Sequence, residues 1–197
     1  MYVFDTNSLS VLFDNFYLAR FPSLWEKFDE LLLTGRIISV REVYNEILCR
    51  HRDTRLVEWA KGQREFFVQP SVEEMQFVGR IFAVVHFRAL IRKRETLEGT
   101  PVADPFLIAK AKVDKRVLVS QETLKPNAAK IPNVCEHFGV QYTNVGGFYG
   151  DGGVAILTAV GGILRPKWWL GGCLRGTEGM PPKAWLGGCY ESRGDRF

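Results

Sequence analysis

Met1-Tyr2-Val3-Phe4-Asp5-Thr6-Asn7 opens the chain. Tyr2, Val3 and Phe4 favour an extended backbone, and a strand this apolar belongs inside a sheet covered on both faces. The next residue is a carboxylate. In an open α/β sheet it emerges at the C-terminal edge of its strand, where such folds place their sites.

The same pattern recurs outward from this stretch. Pro22-Ser23 opens a helix that buries Leu24, Trp25, Phe28, Leu31 and Leu32 and stops at Gly35. A strand is expected over 36–40, then a helix from about Arg41 carrying Val43, Ile47 and Leu48 inward. Ser8 or Ser10 is positioned to cap a first helix. Phe66-Phe67-Val68 suits a short strand or a connector. Ser71 and Glu74 have capping-box spacing, and apolar spacing through Met75, Val78, Ile81, Phe82, Val85 and Leu90 predicts the longest helix. It ends in the basic cluster Arg88, Arg92, Lys93, Arg94. A helix over 102–113, a buried strand over 116–120, a short helix after Pro132 and a last strand over 140–145 complete the pattern. Strands alternating with helices imply an α/β fold: a three-layer α/β/α sandwich around a mostly parallel central sheet, spanning residues 1–148.

Bulk properties set broad limits. The 197 residues suit one domain with an appendage. A hydrophobic content of 46% supplies a core. A net charge of +4 permits an anionic partner without requiring one. The four cysteines form no CxxC pair; Cys49 and Cys135 are expected as reduced, partly buried thiols. Asp5 interrupts any signal peptide, and no run reaches the ~18 apolar residues of a membrane span. No membrane partner is expected, and the cytoplasm is the default compartment.

Residues 149–197 read differently, with twelve of the chain's 19 glycines. Pro166-Lys167-Trp168-Trp169-Leu170-Gly171-Gly172-Cys173 recurs as Pro182-Lys183-Ala184-Trp185-Leu186-Gly187-Gly188-Cys189. Two copies fall short of a repeat array. The segment is either a small module binding a partner or metal through Cys173 and Cys189, or a disordered, non-native read-through extension; the second is preferred.

Four acids occupy strand-end or helix-start contexts: Asp5, Glu46, Asp104 and Glu122. Glu42 lies one turn before Glu46 and rivals it. Asp104 precedes Pro105 and is a natural N-cap. Acids gathered in one cleft raise one another's pKa, a cost that Mg²⁺ or Mn²⁺ removes. Such ions polarise phosphoryl oxygens and activate water for phosphodiester hydrolysis. Asn7 and Ser120 are positioned to support the carboxylates.

At this point the chain resembles the PIN domain family, most closely its PIN-like toxin ribonucleases. The carriers are Tyr2-Val3-Phe4-Asp5-Thr6-Asn7, Val43-Tyr44-Asn45-Glu46-Ile47, Ala103-Asp104-Pro105-Phe106-Leu107-Ile108-Ala109-Lys110-Ala111, Val117-Leu118-Val119-Ser120-Gln121-Glu122 and Lys130-Ile131-Pro132-Asn133-Val134-Cys135. The resemblance implies a metal-dependent endoribonuclease, the toxin of a type II toxin–antitoxin pair. Asp5, Glu46 and Asp104 would hold Mg²⁺ or Mn²⁺. Glu122 stands where many relatives carry aspartate and would reach a second ion through water. The implied partners are an RNA substrate and a cognate antitoxin, with a homodimer open. The alternative is a non-catalytic PIN-like module that binds RNA or protein. A haloacid-dehalogenase-type phosphatase would need an acid where Asn7 stands. Phe87, Trp25 and Trp59 are expected in the core, and His51, His86 and His137 share no motif.

Overall fold

The computed structural model describes residues 1–50, 55–91 and 101–151. Five short strands, β1 (Tyr2–Phe4), β2 (Ile37–Val40), β3 (Phe67–Val68), β4 (Val117–Val119) and β5 (Tyr142–Thr143), form one parallel sheet in the order β3-β2-β1-β4-β5. Tyr2 is level with both Ile37 and Val117, so β1 is the central strand. From β1 the chain builds outward through β2 to β3, then returns to the other side of β1 to lay down β4 and β5. The direction of building reverses between β1 and β4, which makes the C-terminal ends of those strands the expected crevice.

The helices are α1 (Thr6–Asn15), α2 (Pro22–Leu33), α3 (Arg41–Arg50), α4 (Arg55–Gly62), α5 (Val72–Ala83), α6 (Asp104–Val113), α7 (Ile131–Phe138) and α8 (Val145–Asp151). Alternation along β1 decides which layer covers which face. Tyr2 and Phe4 point one way: their rings meet Phe148 of α8 at 4.9 Å, and Phe4 meets Phe28 of α2 at 5.9 Å. Val3 points to the opposite face, which α6 crosses in contact with β1, β2 and β4 while α5 packs along α6. The result is the expected three-layer α/β/α sandwich.

A chain of edge-to-face and tilted aromatic pairs ties the layer around α2. Phe13 meets Trp25 at 4.8 Å and Trp59 at 5.1 Å, and Trp59 meets Phe66 at 5.2 Å. Trp25 donates its Nε1–H to the Phe16 carbonyl at 2.8 Å. Trp25 and Trp59 are therefore core residues, as expected, and burying each such side chain contributes about 1.5–3 kcal/mol. Phe87 is also buried, against Phe138 and His137.

Several local expectations are corrected. Helix α1 starts at Thr6 with Asp5 at the N-cap position, so neither Ser8 nor Ser10 caps it; Ser8 is buried and donates to the Val119 carbonyl. The long helix predicted after Ser71 ends at Ala83. Val84 is extended (ψ 108°), and a 3-10 turn covers Val85–Leu90. The adjacent β-branched residues Val84 and Val85 weaken helix there, and the turn lets Phe87 and Leu90 bury. Met75, Val85 and Leu48, expected inside, are exposed. Only half of the capping box forms: Ser71 Oγ accepts from the Glu74 N–H, but the Glu74 carboxylate is drawn to Lys110. The last strand is only two residues long, because Asn144 Oδ1 accepts the Gly147 N–H at 2.8 Å and starts α8. A Cβ on Gly147 would collide with Thr143 Oγ1, so any larger residue there forces that hydroxyl to move. Phe148 and Tyr149 are buried core residues, so the described fold extends beyond the expected boundary at 148. Cys135 is buried, and burial first, then Glu136, pushes its thiol up to about 12; Cys49 is exposed, not partly buried.

His51, the cluster Arg92, Lys93 and Arg94, and the duplicated PKxWLGGC segment with Cys173 and Cys189 lie outside the described residues. Among the described residues, no helix is long and apolar enough to cross a membrane.

Candidate functional site

The backbone stays extended through Asp5 (φ −80°, ψ 155°), and the Asp5 N–H donates to the Val119 carbonyl, carrying the ladder one residue past β1. Alternation then places the Asp5 side chain on the Val3 side of the sheet, the side on which α6 begins with Asp104. Glu46 arrives from α3, which follows directly on β2. These three acids, with Glu122, Asn7 and Lys130, line one cavity of about 300 Å³ at the C-terminal edge of the sheet; Ala89, Leu90 and Val102 complete one wall. Glu42 is not among its lining residues. It pairs with Arg41 at 3.1 Å, and its Oε2 is buried without a hydrogen bond. The geometry thus favours Glu46 over its rival.

The acids are held in different ways. Asp5 is buried and accepts a hydrogen bond from Ser120 Oγ at 3.2 Å. Burial pushes its carboxyl up to about 7 and the Glu46 carboxylate adds to the rise; the Ser120 hydroxyl and the Asn7 backbone N–H partly oppose it, and Glu122 adds a smaller push upward. Glu46, also buried, accepts from Thr6 Oγ1 at 2.6 Å and from the Ala103 N–H at 3.2 Å. Asp104 is half-buried and is the first residue of α6. The N-cap falls on Ala103, one residue before the sequence expectation, because Ala103 already accepts from the Phe106 and Leu107 N–H groups.

Glu122 is engaged through both oxygens. Oε1 accepts from Lys130 Nζ at 3.0 Å, and Oε2 accepts from the Ile131 N–H at 2.9 Å, at the first residue of α7. Its own N–H donates to Ser120 Oγ at 3.2 Å. Asn7 is exposed at the cavity wall.

Sequence reasoning missed three contributors: Thr6, the Ala103 N–H and Lys130. Thr6 and Lys130 lie within stretches already singled out, but a hydroxyl beside an acid and a lysine before a helix carry no signal until the fold shows what they touch.

The donor set suits a hard divalent cation. It consists of carboxylate oxygens, one of them on a buried acid facing a like charge. Among the described residues no three acidic, His or Cys side chains are already gathered around one point. As they stand, Glu46 and Glu122 are turned toward protein donors instead.

The chain matches, over residues 2–154, the family described as a domain of unknown function, DUF4411. It belongs to that family. The match takes in all the acids of the cavity and ends ahead of the duplicated segment. No curated protein and no solved structure matches the chain.

Proposed function

We propose that this DUF4411 chain is a Mg²⁺- or Mn²⁺-dependent ribonuclease of the PIN type, with Asp5, Glu46 and Asp104 holding the metal. One observation carries the reading: acids from the end of β1, from α3 and from the start of α6 line a single cavity at the point where strand order reverses. The Asp5 charge is costly where it stands, the side chain being buried beside Glu46. A divalent ion held there would offset that cost and polarise a phosphoryl oxygen of the substrate.

The surrounding groups have positioning roles. Thr6 and the Ala103 N–H fix the direction of the Glu46 carboxylate, and Ser120 fixes that of Asp5. Asn7 presents an amide at the cavity wall, within reach of an incoming phosphodiester or a water.

The decisive test is the Asp5→Asn variant assayed for Mn²⁺-dependent cleavage of RNA. Loss of cleavage with an unchanged circular dichroism spectrum is expected; full activity would overturn the assignment. The role as toxin of a toxin–antitoxin pair rests on the sequence resemblance. Its test is growth arrest on expression, relieved by co-expressing a small DNA-binding protein from the neighbouring reading frame. The reading requires the cytoplasm, where RNA is available. The rival reading, a non-catalytic module binding RNA or protein, draws support from the engagement of Glu46 and Glu122 by protein donors. A calorimetric titration showing no Mn²⁺ binding would favour it.

A further inference from the structure

We infer that Lys130 is the cation that grips a substrate phosphate in this cavity, and that Glu122 is its positioning residue and not a ligand to the metal. The inference rests on the ribonuclease reading for the nature of the anion.

Lys130 is the one cationic side chain among the described residues lining the cavity, which it shares with four acids, and of these it contacts Glu122. A phosphodiester entering an acidic cleft needs positive charge on more than the metal side. Lys130 is two-thirds buried, with its side chain 32% exposed, and its ammonium has three N–H donors, of which Glu122 Oε1 takes one. Donors remain for a phosphate oxygen.

Glu122 is already matched by a full positive charge, since Oε1 accepts from the Lys130 ammonium while Oε2 accepts from the Ile131 N–H at the start of α7; Thr6 and the Ala103 N–H, which donate to Glu46, are neutral. Capping α7 would need only the bond from Ile131. The second one, to Lys130, fixes where the ammonium sits. The arrangement also connects to the acid centre. Lys130 donates to Glu122, the Glu122 N–H donates to Ser120 Oγ, and Ser120 donates to Asp5 Oδ2 at 3.2 Å. One hydrogen-bonded run thus spans from the proposed metal acid to the proposed phosphate grip.

Two measurements on the full chain test this. The first is binding of a labelled single-stranded RNA in EDTA across a salt series. Lys130→Ala is expected to weaken binding about tenfold and to lower the slope of log K against log salt by about 0.7, the loss of one phosphate contact on a single strand. Lys130→Arg should restore both. Glu122→Gln, which can still accept the Ile131 N–H, should resemble Lys130→Ala. The second is Mn²⁺ calorimetry, in which Glu122→Gln is expected to bind within twofold of the parent while Asp5→Asn loses binding. Unchanged RNA affinity and slope in Lys130→Ala would overturn the inference, as would a parent that binds no RNA. A tenfold loss of Mn²⁺ affinity in Glu122→Gln would overturn the role given to Glu122. If the parent binds RNA but cleaves none with Mn²⁺ or Mg²⁺, the ribonuclease reading fails, whereas the Lys130 grip is judged by the salt slope alone.

Discussion

Two buried carboxylates on the same side of the sheet have opposite surroundings. Glu74, between α5 and α6, is 1% exposed and meets the Lys110 ammonium at 3.0 Å. Burial alone would lower the Lys110 pKa, but hydrogen bonds to Glu74 and Asp114 hold it above its usual value. Asp5, at the sheet edge, is 2% exposed and faces the Glu46 carboxylate and the Ser120 hydroxyl. One acid is buried with its counter-charge. The other is buried against a like charge, and its carboxyl is driven toward neutrality. The Glu74 charge is matched within the fold, whereas the cost of the Asp5 charge is relieved by a proton or, on the proposed reading, by a bound cation.

The sharpest way to break this contrast is to replace each acid by its amide or remove its partner. Asp5→Asn should lower Mn²⁺-dependent RNA cleavage by roughly 10³-fold or more, a loss comparable to removing one preorganised electrostatic element of an active site. In EDTA at pH 8 the same variant should melt higher than the parent. Lys110→Met should do the reverse, destabilising the fold by about 3–5 kcal/mol in urea titrations by stranding Glu74, with the residual folded protein still binding Mn²⁺. If both variants destabilise the metal-free protein equally, the contrast is false.

A pH series sharpens it further. The Asp5 carboxyl titrates near 7 when folded, above its ordinary value near 4. The folded state therefore binds the extra proton, and stability should fall as pH rises from about 4 to about 7, by roughly 2–4 kcal/mol for a fully buried group. Thermal melts in EDTA at pH 5 and pH 8 measure this, and Asp5→Asn should flatten the difference. Mn²⁺ should restore stability at pH 8, by about 2.7 kcal/mol at a hundred times its Kd. A smaller effect separates the two glutamates of α3. Glu42→Gln should leave RNA cleavage within about twofold, since Glu42 does not line the cavity, whereas Glu46→Gln should cost about 100-fold.

The layers and the cavity acids were legible in the sequence because they depend on strong local signals. Tyr2-Val3-Phe4 and Val117-Leu118-Val119 can only be inner strands, and an acid after such a strand has one edge to emerge from. What was not legible depends on contacts between distant parts of the chain. Nothing local marks Glu74 as the partner of Lys110, 36 residues away, when its spacing to Ser71 suggests a reciprocal cap. The break at Val84 is settled by what Phe87 and Leu90 gain in burial, not by the helical period, which runs straight through it. That Glu122 belongs to the cavity was legible, but not what engages it, because the chain returns to it only at Lys130 and Ile131.

The position of β1 has a consequence for biogenesis. Of the five strands of the sheet it is the first to leave the ribosome, yet its neighbour β4 follows more than a hundred residues later, and Phe148, whose ring rests on both Tyr2 and Phe4, emerges later still. A nascent chain halted before Asp104 carries only half of the cavity's acids and an uncovered apolar strand. Its cleft cannot assemble until Glu122 and the strand before it have been made, so the activity proposed for it could begin only once nearly all of the described fold has been synthesised.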